Sequence, residues 1–234
     1  QHPALALEQS RLTVNAMANA AGKTLLAAMG LMSDYSEDIY RDIEEKEDEI
    51  DLYEDKLGTY LVKLNTRELD TRQNGMASKY LHSLSDFERI GDHATNIAEL
   101  AKEIHEKELV FSGDAQRELQ VLSMALEEVL ALTLKAFKDG DIELAYKVEP
   151  LEECIDVLCD EMKLNHIDRV QNGLCSLQNG FVFNDIITNY ERVADHCSNL
   201  AVAMIELDSN SFDTHRYMTE LKKHRSHRFD ELYL

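Results

Sequence analysis

The chain has 234 residues, 44% of them hydrophobic, and sets 45 acidic side chains against 24 basic ones for a formal net charge of −21. That length holds one large domain or two small ones, with enough apolar material for a sizeable core. A surface this negative repels a phosphate backbone, which argues against nucleic-acid binding and leaves cations, metals or basic protein patches as partners.

Only two prolines and nine glycines punctuate the chain, so long helices are the default. Apolar residues at helical spacing predict a first helix over residues 5–32, and Ser33-Asp34-Tyr35-Ser36 supplies turn and capping chemistry. A second helix is expected over 37–64, broken at Asn65-Thr66, and a third over 70–108, softened near Asn74-Gly75. Ser112-Gly113-Asp114 combines a helix-stop glycine with a cap for the next helix, and the domain boundary is placed there. A fourth helix then reaches Lys138, and a fifth follows Asp139-Gly140-Asp141 to Gln171 with a kink expected at Pro150. Asn172-Gly173 ends it, and a sixth runs from Leu174 to Leu207 with Gly180 tolerated inside. The fold class is therefore all-α, two tandem repeated three-helix bundles over 1–112 and 113–208 plus a basic C-terminal helical tail over 209–234.

The two halves repeat each other. Residues 86–98, Asp-Phe-Glu-Arg-Ile-Gly-Asp-His-Ala-Thr-Asn-Ile-Ala, match residues 189–201, Asn-Tyr-Glu-Arg-Val-Ala-Asp-His-Cys-Ser-Asn-Leu-Ala, and every difference is mild. One helix earlier, Glu44, Glu47, Asp51 and Asp55 correspond to Glu149, Glu152, Asp156 and Asp160. The same order at nearly the same interval implies a duplicated three-helix unit.

At about 100° per residue, Glu88 and Asp92 share one helix face, as do Glu191 and Asp195. The four acids on the second helix, and the four on the fifth, each span an arc of roughly 80°. Neighbouring carboxylates repel unless protons or cations intervene, and dense oxygen donors suit hard cations. An isolated acidic face is ordinarily just solvated; the same Glu-Arg-x-x-Asp-His-x-x-Asn string in both halves favours a shared role. Arg89 and Arg192 are read as structural partners of the acids. His93 and His196 fall about 140° around the helix from Glu88 and Glu191, which suits a capping or supporting role better than ligation. Asn96 and Asn199 either extend the site or hydrogen-bond between helices. Cys154, Cys159, Cys175 and Cys197 lack any C-x-x-C spacing and suit reduced cytosolic thiols.

The duplicated segments Phe87-Glu88-Arg89-Ile90-Gly91-Asp92-His93 and Tyr190-Glu191-Arg192-Val193-Ala194-Asp195-His196 resemble the signature of the PhoU family. That resemblance implies two three-helix bundles and a repeated Glu-x-x-x-Asp motif holding multinuclear metal clusters, with iron or zinc as the expected ions and manganese or magnesium as alternatives. Glu88 with Asp92 and Glu191 with Asp195 would be the motif ligands, completed by Glu47, Asp51, Glu152 and Asp156. It further implies a non-enzymatic regulator of phosphate uptake that contacts a phosphate transporter and a sensor kinase, and a homo-oligomer is expected.

No run approaches the ~18 apolar residues that a bilayer span needs. The opening Gln1-His2-Pro3 lacks Met and reads as a piece of a longer chain. With the basic residues Arg216, Lys222, Lys223, His224, Arg225, His227 and Arg228 of the tail, it resembles the cytoplasmic C-terminal portion of bacterial sodium/phosphate cotransporters. The leading expectation is such a regulatory domain on the cytoplasmic side of the membrane, in cis to its transporter; a free-standing adaptor acting in trans without a required metal is the alternative. The basic tail would meet anionic lipid or a neighbouring acidic bundle. A carboxylate-bridged di-iron enzyme is disfavoured, because Glu-x-x-His is needed on two helices and occurs nowhere.

Overall fold

The computed structural model describes residues 3–65 and 69–208. Seven helices account for nearly all of them: α1 (Pro3–Leu31), α2 (Glu37–Asn65), α3 (Thr71–Glu106), α4 (Gly113–Asp139), α5 (Ile142–Ala145), α6 (Val148–Gln171) and α7 (Leu177–Asp208). Helices α1, α2 and α3 pack together as one bundle and α4, α6 and α7 as a second, while α3 lies along α7 and α1 touches α4. One contiguous hydrophobic core runs through both. The expected basic tail, residues 209–234, lies outside the described residues.

Helix α2 shows how charge and packing coexist. Ile43, Ile50, Leu57 and Leu64 recur every seventh residue and are buried together with Tyr40 and Leu61. A stripe this narrow resembles a coiled-coil seam and leaves most of the helix surface to acids. Helix α3 starts in a capping box, Asp70 accepting from the Gln73 amide at 2.8 Å while the Gln73 side chain accepts from the Asp70 amide at 3.1 Å. Ser112 caps α4 by accepting from the Ala115 amide at 3.2 Å.

Three expectations are corrected. Helix α3 runs unbroken through Asn74 and Gly75. The fifth helix is not one kinked element: Gly140, at φ 67°, ends α4, Asp141 caps the single turn α5 by accepting from the Leu144 amide at 3.0 Å, and α6 begins afresh at Val148. Pro150 then falls in the first turn of α6, where its missing N–H has no intrahelical partner to lose, and no kink is needed. The last helix starts at Leu177 rather than Leu174, because the Ser176 hydroxyl accepts from the Asn179 amide at 3.1 Å.

Candidate functional site

Each half carries one cluster of carboxylates at the junction of its second and third long helices. In the first, Glu47 and Asp51 of α2 meet Asp92 of α3; in the second, Glu152 and Asp156 of α6 meet Asp195 of α7. In both, one carboxylate oxygen from each residue lies within 4.8 Å of the others. Gly91 eases the approach of α2 to α3, since a Cβ there would stand 3.2 Å from Ile50 Cδ1 and ask it to shift by a few tenths of an ångström. Ile50 is one turn from Glu47 and next to Asp51, so packing beneath the helix sets the acids above it.

The clusters are electrostatically loaded. Burial pushes the Glu152 carboxyl up to about 8, with the charges of Asp156 and Glu149 adding to it. Burial, then Asp195 and Glu191, raise Asp156 to about 6. In the first half, burial and the neighbouring Asp92 lift Glu88 to about 7, against a lowering by Arg89. Glu47 is shifted upward by burial and then Asp51. These are the directions expected of acids that are buried and crowded together.

The second cluster is the more enclosed. Glu152 is only 8% exposed. Asp156 Oδ1 is buried and lacks a hydrogen bond. Buried carboxylate oxygens are rarely left so. Oxygens bound to one cation at ~2.1 Å stand about 3 to 4 Å apart, so modest side-chain motion would bring each triad onto one ion. The donor set is all carboxylate and fits hard cations; neither triad offers the nitrogen or sulfur that zinc usually takes.

The other predicted acids fall into three groups, and the arginines pair with the aspartates. Glu88 and Glu191 flank the triads. Arg89 pairs with Asp92 at 3.1 Å and Arg192 with Asp195 at 3.2 Å, as the structural reading held. Glu149 accepts from the Ser198 hydroxyl beside Glu152. Glu44, Asp55 and Asp160 are exposed and outside the triads.

The histidines and asparagines are engaged with one another's repeat across the seam of α3 and α7. His93 Nδ1 lies 2.9 Å from Asn189 Oδ1, which also accepts from Asn96 Nδ2 at 3.2 Å. In mirror fashion His196 Nδ1 lies 2.9 Å from Asp86 Oδ1, which accepts from Asn199 Nδ2 at 3.3 Å. All six residues sit on the seam between α3 and α7, so of the two roles left open for the asparagines, bonding between helices is the one they play.

Two residues escaped sequence reasoning. Glu54 joins the first cluster, its carboxyl raised by burial and then by Asp51 and Asp55. Lys163 reaches the second, its Nζ 2.7 Å from Glu191 Oε2. Both stand one turn from stripe acids, but their counterparts in the other half are Cys159 and Gly58, so a search for shared residues passed over them.

Fold and site together define a tandem helical-bundle protein with one carboxylate cluster in each repeat. The PhoU domain family matches residues 14–101 and 119–204, and the chain belongs to that family. It is 29% identical over 125 residues to the phosphate-specific transport system accessory protein PhoU homolog 1 of Thermotoga maritima, covering 53% of each chain. It is 27% identical over 129 residues to the corresponding Streptococcus pneumoniae homolog, covering 55% of this chain and 58% of that one. The chain thus spans about half the length of the curated relatives it matches. Among solved structures, PhoU from Pseudomonas aeruginosa superposes with a TM-score of 0.83 at 21% identity, covering 88% of this chain and 99% of that one. The phosphate transport system regulatory protein PhoU from Streptococcus pneumoniae does so at 0.79 and 20%, covering 90% and 98%.

Proposed function

We propose that this chain regulates phosphate uptake as a PhoU-type accessory protein, without catalysing a reaction, and binds divalent or trivalent metal ions at its two carboxylate clusters. The observation that carries the regulatory reading is the PhoU match in both halves, joined to relatives named as phosphate-transport accessory proteins. Those names favour a free-standing accessory protein acting in trans over the cytoplasmic portion of a sodium/phosphate cotransporter. The latter rests on the opening residues and the basic tail alone. No helix of the described residues is long and apolar enough to cross a membrane. The partners proposed are a phosphate transporter at its cytoplasmic face, a sensor kinase and further copies of the chain.

For the metal, Glu47, Asp51 and Asp92 would hold one site and Glu152, Asp156 and Asp195 the other, with Glu88 and Glu191 completing them. The buried Glu152 and the buried, hydrogen-bond-free Asp156 Oδ1 support this reading. Iron, manganese and magnesium suit the donors better than zinc. A bound ion supplies the positive charge that the acids lack and ties the second long helix of each bundle to the third. The regulatory reading is tested by expressing the chain in a bacterium lacking its own PhoU protein and following a phosphate-starvation reporter in phosphate-rich medium. Restored repression is the expected result, and a reporter that stays on would overturn it.

A further inference from the structure

The two clusters are repeats in position but not in charge. Glu47, Asp51, Glu88 and Asp92 each have an acidic counterpart, namely Glu152, Asp156, Glu191 and Asp195. Arg89 and Arg192 pair with the third-helix aspartates alike, Arg89 standing in addition 3.5 Å from Glu88 Oε2. Two positions distinguish the halves. Where the first cluster has the carboxylate of Glu54, the second has Cys159, fully buried, its thiol raised to about 12 by burial and so uncharged. Where the first has Gly58, the second has Lys163, whose ammonium sits 2.7 Å from Glu191 Oε2 with the two side chains 30% and 26% exposed. Glu54 thus adds a fifth carboxylate to the four matched ones of the first site, whereas the second adds the Lys163 ammonium to its four, with Glu149 beside Glu152 engaged by the Ser198 hydroxyl.

We infer that Lys163 is a resident counter-cation of the second cluster, holding Glu191 away from metal, so that the two halves bind divalent cations unequally and the second fills only as Lys163 is displaced. This rests on the reading of both clusters as metal sites. A lysine ammonium and a divalent ion cannot both lie against one carboxylate oxygen without mutual repulsion, and at a few ångströms in a half-buried setting that repulsion is large compared with thermal energy. The first cluster has no lysine at the matching place, because the glycine at position 58 brings no side chain, and the cation beside Glu88 is the exposed Arg89, whose Nε stands off at 3.5 Å. Asp156 Oδ1 stays without a hydrogen bond, so Lys163, bonded to Glu191, leaves that part of the second site open to an ion.

The test is a titration of chelator-stripped full chain with Mn²⁺, read by calorimetry and by elemental analysis after gel filtration. The wild type should show a tight class of sites lost in Glu47→Ala/Asp51→Ala and a weaker class lost in Glu152→Ala/Asp156→Ala. Lys163→Met should tighten the weaker class by roughly tenfold or more and leave the tight class unchanged. Gly58→Lys, where a Cβ would meet only Leu84 Cδ1 at 3.8 Å, should weaken the tight class by a similar factor. Two classes that respond to neither lysine change would overturn the inference while leaving the metal reading intact. Absence of Mn²⁺ from the wild type and from Lys163→Met alike would overturn both.

Discussion

His93 and His196 face each other across the seam of α3 and α7 with their ring centroids 5.6 Å apart, each anchored to the residue that opens the other repeat's signature string. His93 is held by Asn189 and His196 by Asp86, residues that are themselves repeat counterparts. The seam thus has an approximate two-fold relation in which one acceptor is an amide and the other a carboxylate. Duplication placed the same string on both helices, and packing the helices together made the strings each other's partners.

Removing the acceptor on one side should expose this. Asp86→Ala strips both His196 and Asn199 of their partner and is expected to cost about 1 to 3 kcal/mol in urea unfolding. Asp86→Asn should cost less, since Asn189 already does the same work in the mirror position. Equal losses for the two variants would mean that the carboxylate charge, not the acceptor geometry, holds His196.

Metal content should divide between the halves. For protein purified without a metal-affinity step, Glu88→Ala/Asp92→Ala is expected to remove the larger share of the bound iron or manganese and Glu191→Ala/Asp195→Ala the smaller, with the helical circular dichroism unchanged. Loss of all metal from a single double variant would place the binding in one half only.

The metal-free chain should become less stable as pH rises. The folded-state values of Glu88, Asp156 and Glu152, at about 7, 6 and 8, lie above their ordinary values of 4.5, 3.8 and 4.5. The folded protein therefore holds more protons than the unfolded chain between those limits, and stability falls as each group is forced to ionise. From about pH 4.5 to about pH 8 the melting temperature in chelator should drop by several degrees, and added Mn²⁺ should flatten the slope. Glu152→Gln, which removes the largest of the three shifts, is expected to melt higher than wild type at pH 8 without metal. A metal-free melting curve that rises over this range would contradict the buried-acid account.

The floor of each cluster is apolar. Ile50 is 1% exposed and Ile155 is fully buried, each beside the acids of its half. Ile155→Ala should cost about 2 to 5 kcal/mol, and because one core runs through both bundles the unfolding should remain a single transition in urea. Two separated transitions would show that the bundles unfold independently.

The sequence by itself determined the helices, the duplication and the acidic faces. Periodicity and capping residues act within a few turns of chain, so Ser112, Asp141 and the seven-residue rhythm of α2 were legible without a structure, and repetition made the triad acids stand out from ordinary surface charge. The break between α5 and α6 was not legible, because a proline suits both a kink and a first turn and only the surrounding backbone chooses. Tertiary structure alone decided which neighbour each helix face meets. The angle around one helix axis told that His93 points away from Glu88, but the packing of α3 on α7 had to supply Asn189 as its partner. Glu54 and Lys163 joined the clusters for the same reason: their roles come from a second helix brought within a few ångströms, and that proximity depends on side-chain volumes, such as Ile50 against Gly91, that no one-dimensional pattern records.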